Sequence, residues 1–282
     1  MNIINTIQKF RVWRQGISGS IGFVPTMGAL HNGHLSLVEE ANKMCLHTVV
    51  SIYLNPAQFA PEEDLETYPQ NLKYDLEALS QFQIDTILLP MDLEIYPKGF
   101  STYIQETKLS VLLEGKSRPS FFKGVTTVLA KLFNIVQPTH AFFGEKDAQQ
   151  LLIVKKMVKD MAYPIEIIAC PTIRQENGLA ISSRNRYLSK SEQKTASIIF
   201  QALQNGKNLI ISGERNAQII RDEITKLIQN TILQIDYVSV ADADTLIEIS
   251  GNISNNILVS IAVFLGKIRL IDNFNYSISS SK

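Results

Sequence analysis

Apolar residues along this chain follow two periods in turn. Nearly continuous apolar runs at 21–25, 46–54 (LHTVVSIYL), 84–90 (IDTILLP), 139–143 and 165–170 read as strands. Uninterrupted runs of this kind are expected where a sheet is covered on both faces. Between them the spacing is helical. Over 123–136 the residues Val125, Val128, Leu129, Leu132, Phe133 and Val136 recur at i, i+3, i+4 and i+7, and Pro138 ends the pattern. A helix over 71–82 places Leu72, Leu76 and Leu79 on one face, and one over 35–44 turns Leu35, Val38 and Ala41 inward. Residues 1–16 predict a short helix with Ile4, Ile7, Phe10, Val12 and Trp13 roughly on one side, and another helix follows Asp147 and runs to about Met161. The pattern weakens over 91–120, where 103–113 reads as a strand and a short helix and 117–120 as loop.

Strands alternating with helices imply a parallel sheet with right-handed crossovers. After Arg174 the pattern changes: helices are predicted over 189–209 and 217–230, and strands over 234–240, 257–265 and 268–271. The expectation is an α/β, Rossmann-like parallel sheet flanked by helices over residues 1–174. A smaller α+β domain follows over 175–282 and ends in a serine-rich stretch, 277–282, expected to fray.

Composition narrows the class. The 282 residues are 45% hydrophobic and 19% charged, ordinary for a globular protein. Lys plus Arg and Asp plus Glu both number 27, so the basic excess of a nucleic-acid partner is absent. No apolar run approaches the ~20 residues of a membrane span. Cys45 and Cys170 match no metal spacing and read as thiols in a reducing compartment. With no signal-peptide pattern at the N-terminus, a cytoplasmic protein is expected.

In parallel sheets, ligands bind beyond the carboxyl ends of the strands. Four polar loops, at 25–34, 55–59, 144–147 and 171–174, fall at that edge. The first, PTMGALHNGH, joins a strand to a helix N-terminus, which offers unpaired N–H groups and partial positive charge to an anion. Gly28 and Gly33 allow close backbone approach. His31 and His34, at i and i+3, reach one spot and suit phosphate oxygens. Zinc fits poorly: the spacing is three, Asn32 and Gly33 intervene, and no cysteine cluster accompanies the pair. Lys146 suits phosphate, and Asp147 suits a magnesium-bound water or a ribose hydroxyl. Ser182, Ser183, Arg184 and Arg186 form a candidate phosphate clamp. Gln58, Gln149 and Gln150 are neutral groups able to hold a hydroxyl or carboxylate. Gly115-Lys116-Ser117 imitates the end of a P-loop, but Ser110 stands where its first glycine belongs. Neither G-x-G-x-x-G after the first strand nor G-x-S-x-G occurs.

The H-x-G-H after the first strand and the later serine/basic loop resemble the nucleotidylyltransferase superfamily. PTMGALHNGH (25–34), NPAQF (55–59), KLFNIVQP (131–138), FGEKDAQQL (143–151), GLAISSRNRYLS (178–189) and IRLIDN (268–273) resemble, in order and over nearly the whole chain, the pantothenate synthetase (pantoate–β-alanine ligase) family. That resemblance implies a ligase that joins pantoate to β-alanine through pantoyl adenylate, with loss of pyrophosphate and AMP from ATP. It also implies magnesium, held mainly by the ATP phosphates rather than by protein ligands, a cytoplasmic homodimer formed through the N-terminal domain, and a C-terminal lid domain. Matched by motif, Met27, Gly28, Ala29, Leu30, His31, Asn32, Gly33 and His34 would contact ATP, with His34 the proton donor and His31 beside it. Gly144, Glu145, Lys146 and Asp147 would hold the nucleotide, with Lys146 on its phosphates. Ile173, Ile181, Ser182, Ser183 and Arg184 would complete that site. His31, His34, Lys146 and Arg184 are thus the candidate catalytic groups, and Gln58 and Gln150 the candidate pantoate ligands, Gln58 also lying near β-alanine. The chain departs from the family pattern R-P-G-H-F-R-G-V at 118–125, where Phe121 replaces the histidine and Lys123 an arginine. Phe121 is assigned no role from sequence.

Overall fold

The computed structural model describes residues 1–61, 63 and 65–278. The chain divides into two compact units, Met1–Glu145 with Gln149–Pro171, and Lys146–Ala148 with Thr172–Lys282.

The first unit carries a six-stranded sheet: β1 (Asn2–Ile4), β2 (Ile21–Thr26), β3 (His47–Ile52), β4 (Thr86–Leu88), β5 (His140–Gly144) and β6 (Glu166–Cys170). The strand order is β1-β4-β3-β2-β5-β6 and every pairing is parallel. From β2 the chain moves outward through β3 to β4, then returns to place β5 on the other side of β2. The order therefore reverses between β2 and β5, and at such a switch point the loops diverge and leave a crevice at the strands' carboxyl ends.

Alternate residues of each strand serve opposite cores, as a period of two requires. Phe23, Val49, Leu88 and Phe143 join one cluster, which also takes Phe10 of α1 (Ile7–Gln15), Val125 and Leu129 of α6 (Phe121–Val136), and Val154 of α7 (Ala148–Asp160). Val24, Val50, Ile87 and Phe142 join the other, with Val38 and Ala41 of α2 (Asn32–Met44) and Leu79 of α3 (Leu72–Leu79). Two one-turn helices, α4 (Asp92–Ile95) and α5 (Glu114–Ser117), lie in the weakly patterned region.

The second unit packs α8 (Lys190–Ala196), α9 (Ile198–Ile211) and α10 (Ala217–Gln229) with an antiparallel sheet of β7 (Gln234–Asp242), β8 (Ile257–Leu265) and β9 (Ile268–Tyr276) in sequence order. Its own core is built from residues such as Ile199, Leu203, Ile220, Ile224, Val259 and Ile261.

Several expectations change. Residues 1–16 are not one helix: the first three residues after Met1 pair with β4 as an edge strand, and Thr6 caps a helix that starts only at Ile7. Val12, expected inward, is 67% exposed, and Leu72 is 45% exposed. No strand forms over 103–113. Instead the Ile104 backbone bonds to the side chains of Thr126 and Thr127 on α6, which gives that stretch its polar partners without a sheet. Glu114–Ser117 is helical, so the loop expected at 117–120 shortens. The helix expected over 189–209 is broken at Ser197, whose hydroxyl donates to Lys194 O and whose N–H donates to Gln193 O. β9 continues to Tyr276, well past the 268–271 expected. From residue 279 onward the frayed end expected over 277–282 lies outside the described residues.

Candidate active site

The loop after β2 takes its shape from its own residues and from one distant carboxylate. Thr26 donates to Ser51 O at 2.8 Å and accepts from Gly28 N at 3.3 Å, closing the strand end. Gly28 and Ala29 then adopt φ of 83° and 51°. This left-handed region suits glycine and is disfavoured for alanine, so the turn needs outside support. Asp75, on α3 and 1% exposed, supplies it: Oδ2 accepts Ala29 N at 3.0 Å and Oδ1 accepts Leu30 N at 2.8 Å. Sequence reading missed this residue. Its neighbours in sequence form an ordinary amphipathic helix, and the one local signal is an acidic residue at a position that turns out to be inward.

The turn delivers His31 to the N-cap of α2, where its Nδ1 accepts the N–H of Gly33 at 3.1 Å. An Nδ1 that accepts leaves the ring proton on Nε2, so the cap selects the tautomer. His34, one turn on, stacks against it with centroids 4.1 Å apart and planes 28° from parallel. Both imidazoles therefore sit at the positive end of a 13-residue helix, beside Asn32 and Gly33, an arrangement suited to anionic oxygen.

Gln58 lies on the short 3-10 turn Pro56–Gln58 after β3 and is 8% exposed. Its orientation follows from a chain of bonds. Tyr96 OH and Ala57 N donate to Asn55 Oδ1, at 2.7 and 3.4 Å, so Asn55 Nδ2 faces Gln58 Oε1 at 3.0 Å and Gly124 O at 3.2 Å. Burial, then the charge of Tyr103, push the Tyr96 phenol above its ordinary pKa, which keeps it a donor. With Oε1 occupied, Gln58 Nε2 is the outward group, and its partner is Met27 Sδ at 3.1 Å. Sulfur is a weak acceptor, so a ligand oxygen can take its place at little cost. Asn55 and Tyr96 are thus positioning groups that sequence reading left unassigned, although Asn55 opens the NPAQF motif.

The two glutamines that open α7 differ. Gln149 is 5% exposed and is consumed by backbone: Oε1 accepts Glu114 N at 2.9 Å, and Nε2 donates to Leu109 O and Leu112 O, both at 2.8 Å. Leu113, between them, has φ 42°, and these bonds hold it there. Gln150 is not engaged in this way and is half-buried.

Gly144 and Glu145 end β5 at the switch point in the first unit. Lys146 and Asp147 belong to the second unit, where Lys146 Nζ lies 3.5 Å from Asp147 Oδ1 and the Lys146 carbonyl accepts Asn273 Nδ2 at 2.8 Å. In that unit Ile181 N donates to Ile173 O at 3.0 Å, bringing those two residues together. Ser182 caps the 3-10 turn Ser183–Tyr187, its hydroxyl accepting Arg184 N at 3.3 Å. Asn185 Nδ2 donates to Ala180 O at 3.0 Å. Arg174 forks onto Asp272 at 2.5 and 2.9 Å, securing the loop that precedes this turn. The first unit therefore brings together Met27–His34 and Gln58, and the second gathers Lys146, Asp147, Ile173 and 181–184 on its own scaffold.

A doubly covered parallel sheet with polar, histidine-bearing loops at its switch point is the architecture of a phosphate-handling α/β enzyme. A family model described as pantoate-beta-alanine ligase matches residues 2–275. A pantothenate synthetase of Clostridium botulinum (strain Langeland) is 48% identical over 99% of this chain and 100% of its own length. One from Thermosipho africanus is 46% identical over 97% and 99%. The crystal structure of pantothenate synthetase from Thermus thermophilus superposes with a TM-score of 0.92 at 39% identity, covering 97% of this chain and 99% of that one. Pantoate-beta-alanine ligase from Francisella tularensis, crystallised with beta-gamma ATP and beta-alanine, gives a TM-score of 0.79 at 35% identity over 97% of both chains. The chain belongs to the pantoate–β-alanine ligase family and is a ligase of pantothenate biosynthesis.

Proposed function

We propose that this enzyme activates pantoate with ATP as pantoyl adenylate and then transfers the pantoyl group to β-alanine. The observation that carries this reading is the pairing, on one sheet edge, of a histidine-bearing helix N-terminus with an oriented neutral amide. In the first step a pantoate carboxylate oxygen attacks the α-phosphorus of ATP, and the bond to the β,γ-pyrophosphate breaks. Negative charge grows on the α-phosphoryl oxygens and on the leaving pyrophosphate, so fixed donors at those positions lower the barrier. His34 and His31 at the α2 terminus, Lys146 and Arg184 are assigned that work, with His34 the proton donor. Met27, Gly28, Ala29, Leu30, Asn32 and Gly33, together with Gly144, Glu145, Asp147, Ile173, Ile181, Ser182 and Ser183, form the ATP site.

Gln58 and Gln150 hold pantoate. A carboxamide suits this task because it orients a hydroxy acid without a charge that would blunt the attacking carboxylate. In the second step the neutral amine of β-alanine attacks the acyl carbon, AMP departs, and the amide of pantothenate remains after loss of the amine's proton. No protein nucleophile is needed, since the adenylate is already activated. Water competes with the amine, so excluding it is a chemical requirement. We assign nucleotide and pantoate binding to residues 1–174 and the exclusion of water to residues 175–282.

Magnesium enters with ATP, held mainly through phosphate oxygens, and supplies charge neutralisation there. Among the described residues no group of three or more His, Cys, Asp or Glu could hold a metal ion. We further assign a homodimer formed through the first 174 residues and a cytoplasmic location. Support for the substrate assignments is the motif set together with the beta-gamma ATP and beta-alanine complexed with the Francisella relative.

The test is AMP release from ATP with magnesium, pantoate and β-alanine. Release that requires both organic substrates is expected. AMP formed without one of them, or an adenylylated final product in place of free AMP, contradicts the reading.

A further inference from the structure

The turn that carries Gln58 is clamped from a second direction. Arg118 presents its guanidinium as a fork to Glu63, Nε to Oε1 at 2.5 Å and Nη2 to Oε2 at 2.6 Å, and the same Nη2 donates to the carbonyl of Gln58 at 3.3 Å. The side chains are only 14% and 20% exposed, so the pair is largely removed from water. A bidentate pair fixes the plane of the guanidinium but leaves its two faces open. Phe121 covers one of them, with Arg118 Cζ 3.7 Å from the ring centroid. The local fold brings this about: Phe121 N donates to Arg118 O at 3.1 Å, so the turn between them returns the ring beneath the guanidinium as α6 begins. The ring is itself steadied by Phe122, 4.8 Å away and 1% exposed.

We propose that Phe121 is a positioning residue for acid-substrate binding, seating Arg118 so that the Gln58 carbonyl, and with it the Gln58 carboxamide, is held in its binding orientation. The proposal rests on the reading of Gln58 as a pantoate ligand. It gives a task to a residue that the sequence alone left without one. A ring with no polar atom offers the guanidinium an aromatic face and nothing that competes with Glu63 or Gln58 for its N–H groups. Lys123, in the same segment, also faces a ring, its Nζ 4.2 Å from the Tyr103 ring centroid.

The test compares Phe121→Leu, Phe121→Tyr and Gln58→Ala by steady-state kinetics, varying pantoate and ATP separately. Leucine keeps an apolar side chain but removes the aromatic face. Phe121→Leu is expected to raise KM for pantoate roughly five- to thirtyfold, the span of one cation–π contact from exposed to desolvated, with KM for ATP within about twofold of the parent. Phe121→Tyr restores the parent value. Arg118→Lys, which breaks the fork, reproduces the leucine phenotype, and adding Phe121→Leu to it brings no further rise. An unchanged pantoate KM in Phe121→Leu, while Gln58→Ala raises it, overturns the role of Phe121 and leaves Gln58 in place. Equal rises for pantoate and ATP in Phe121→Leu reduce the ring to general packing and overturn it too. A Gln58→Ala enzyme with parental pantoate KM removes the reading of Gln58 and the proposal together.

Discussion

His34 stands at the positive end of α2, stacked on a histidine whose tautomer the helix cap selects. Losing one preorganised donor at a transition state costs about 2–4 kcal/mol, so His34→Ala is expected to fold normally and to lose that much in kcat/KM. Turnover close to the parent in a folded variant, checked by circular dichroism, rules out the role. Asp75 makes a different prediction. Its carboxylate is the partner of two buried backbone N–H groups, and each one left unsatisfied costs roughly 1–3 kcal/mol. Asp75→Ala is therefore expected to lower the guanidinium midpoint and kcat together, since the same two bonds shape the loop that presents the histidines. A stable variant with low activity, or an active one with low stability, separates the two effects and contradicts that coupling. The histidines were legible because their signal is local, two rings and a glycine within four residues of a strand end. Asp75 was not, because it acts across 46 positions of sequence and its own helix looks ordinary.

At the scale of elements, the Gln58 turn depends on the close approach of α6. A Cβ added at Gly124 would lie 2.2 Å from Ala57 O, which is backbone and has little room to yield. Gly124→Ala is expected to destabilise the protein by ~1–3 kcal/mol, the usual cost of overpacking, and to raise KM for pantoate more than for ATP as the turn shifts. Thermal denaturation and substrate-resolved kinetics check both parts. At the end of β6, burial pushes the Cys170 thiol up to about 11 from 9.0. The folded state then holds its proton more tightly than the unfolded chain, so this contribution to stability is intact below pH 9 and is lost as pH climbs towards 11. Alkylation of native protein at neutral pH is expected to spare Cys170, and Cys170→Ala flattens the stability profile over that window. Rapid labelling of Cys170 in native protein contradicts its burial.

Long, two-sided elements could be read from sequence because their apolar residues repeat: β2, β3, β5, β6, α6 and α10 lie within a few residues of the expected bounds. β1 escaped because three edge residues carry no period, and Ile3 is 51% exposed. The break between α8 and α9 escaped because Ser197 bonds to the preceding turn and leaves the helical spacing unchanged. Short elements held by side-chain bonds to distant backbone, such as Ile104 on Thr126 and Thr127, leave no periodic trace.

For the whole molecule, the two compact units carry separate hydrophobic clusters, two in the first and one in the second, and candidate groups are divided between the units. Lys146 and Arg184 belong to the unit of the antiparallel sheet, His31, His34 and Gln58 to that of the parallel sheet. The proposed homodimer is expected to appear as twice the 31.6 kDa chain mass in sedimentation equilibrium. A monomer at working concentration refutes it. The division of labour proposed for these groups converges on one event, attack of the pantoate carboxylate on the α-phosphorus. That event leaves a mark on the product, because the attacking oxygen departs with AMP when β-alanine takes the acyl group. Pantoate labelled with oxygen-18 in its carboxylate, converted with ATP and β-alanine and analysed by mass spectrometry, reads it directly. One labelled oxygen in AMP is the expected result. Label in inorganic phosphate or pyrophosphate, or unlabelled AMP, would contradict an adenylate and with it the roles assigned to His34, Lys146, Arg184 and Gln58.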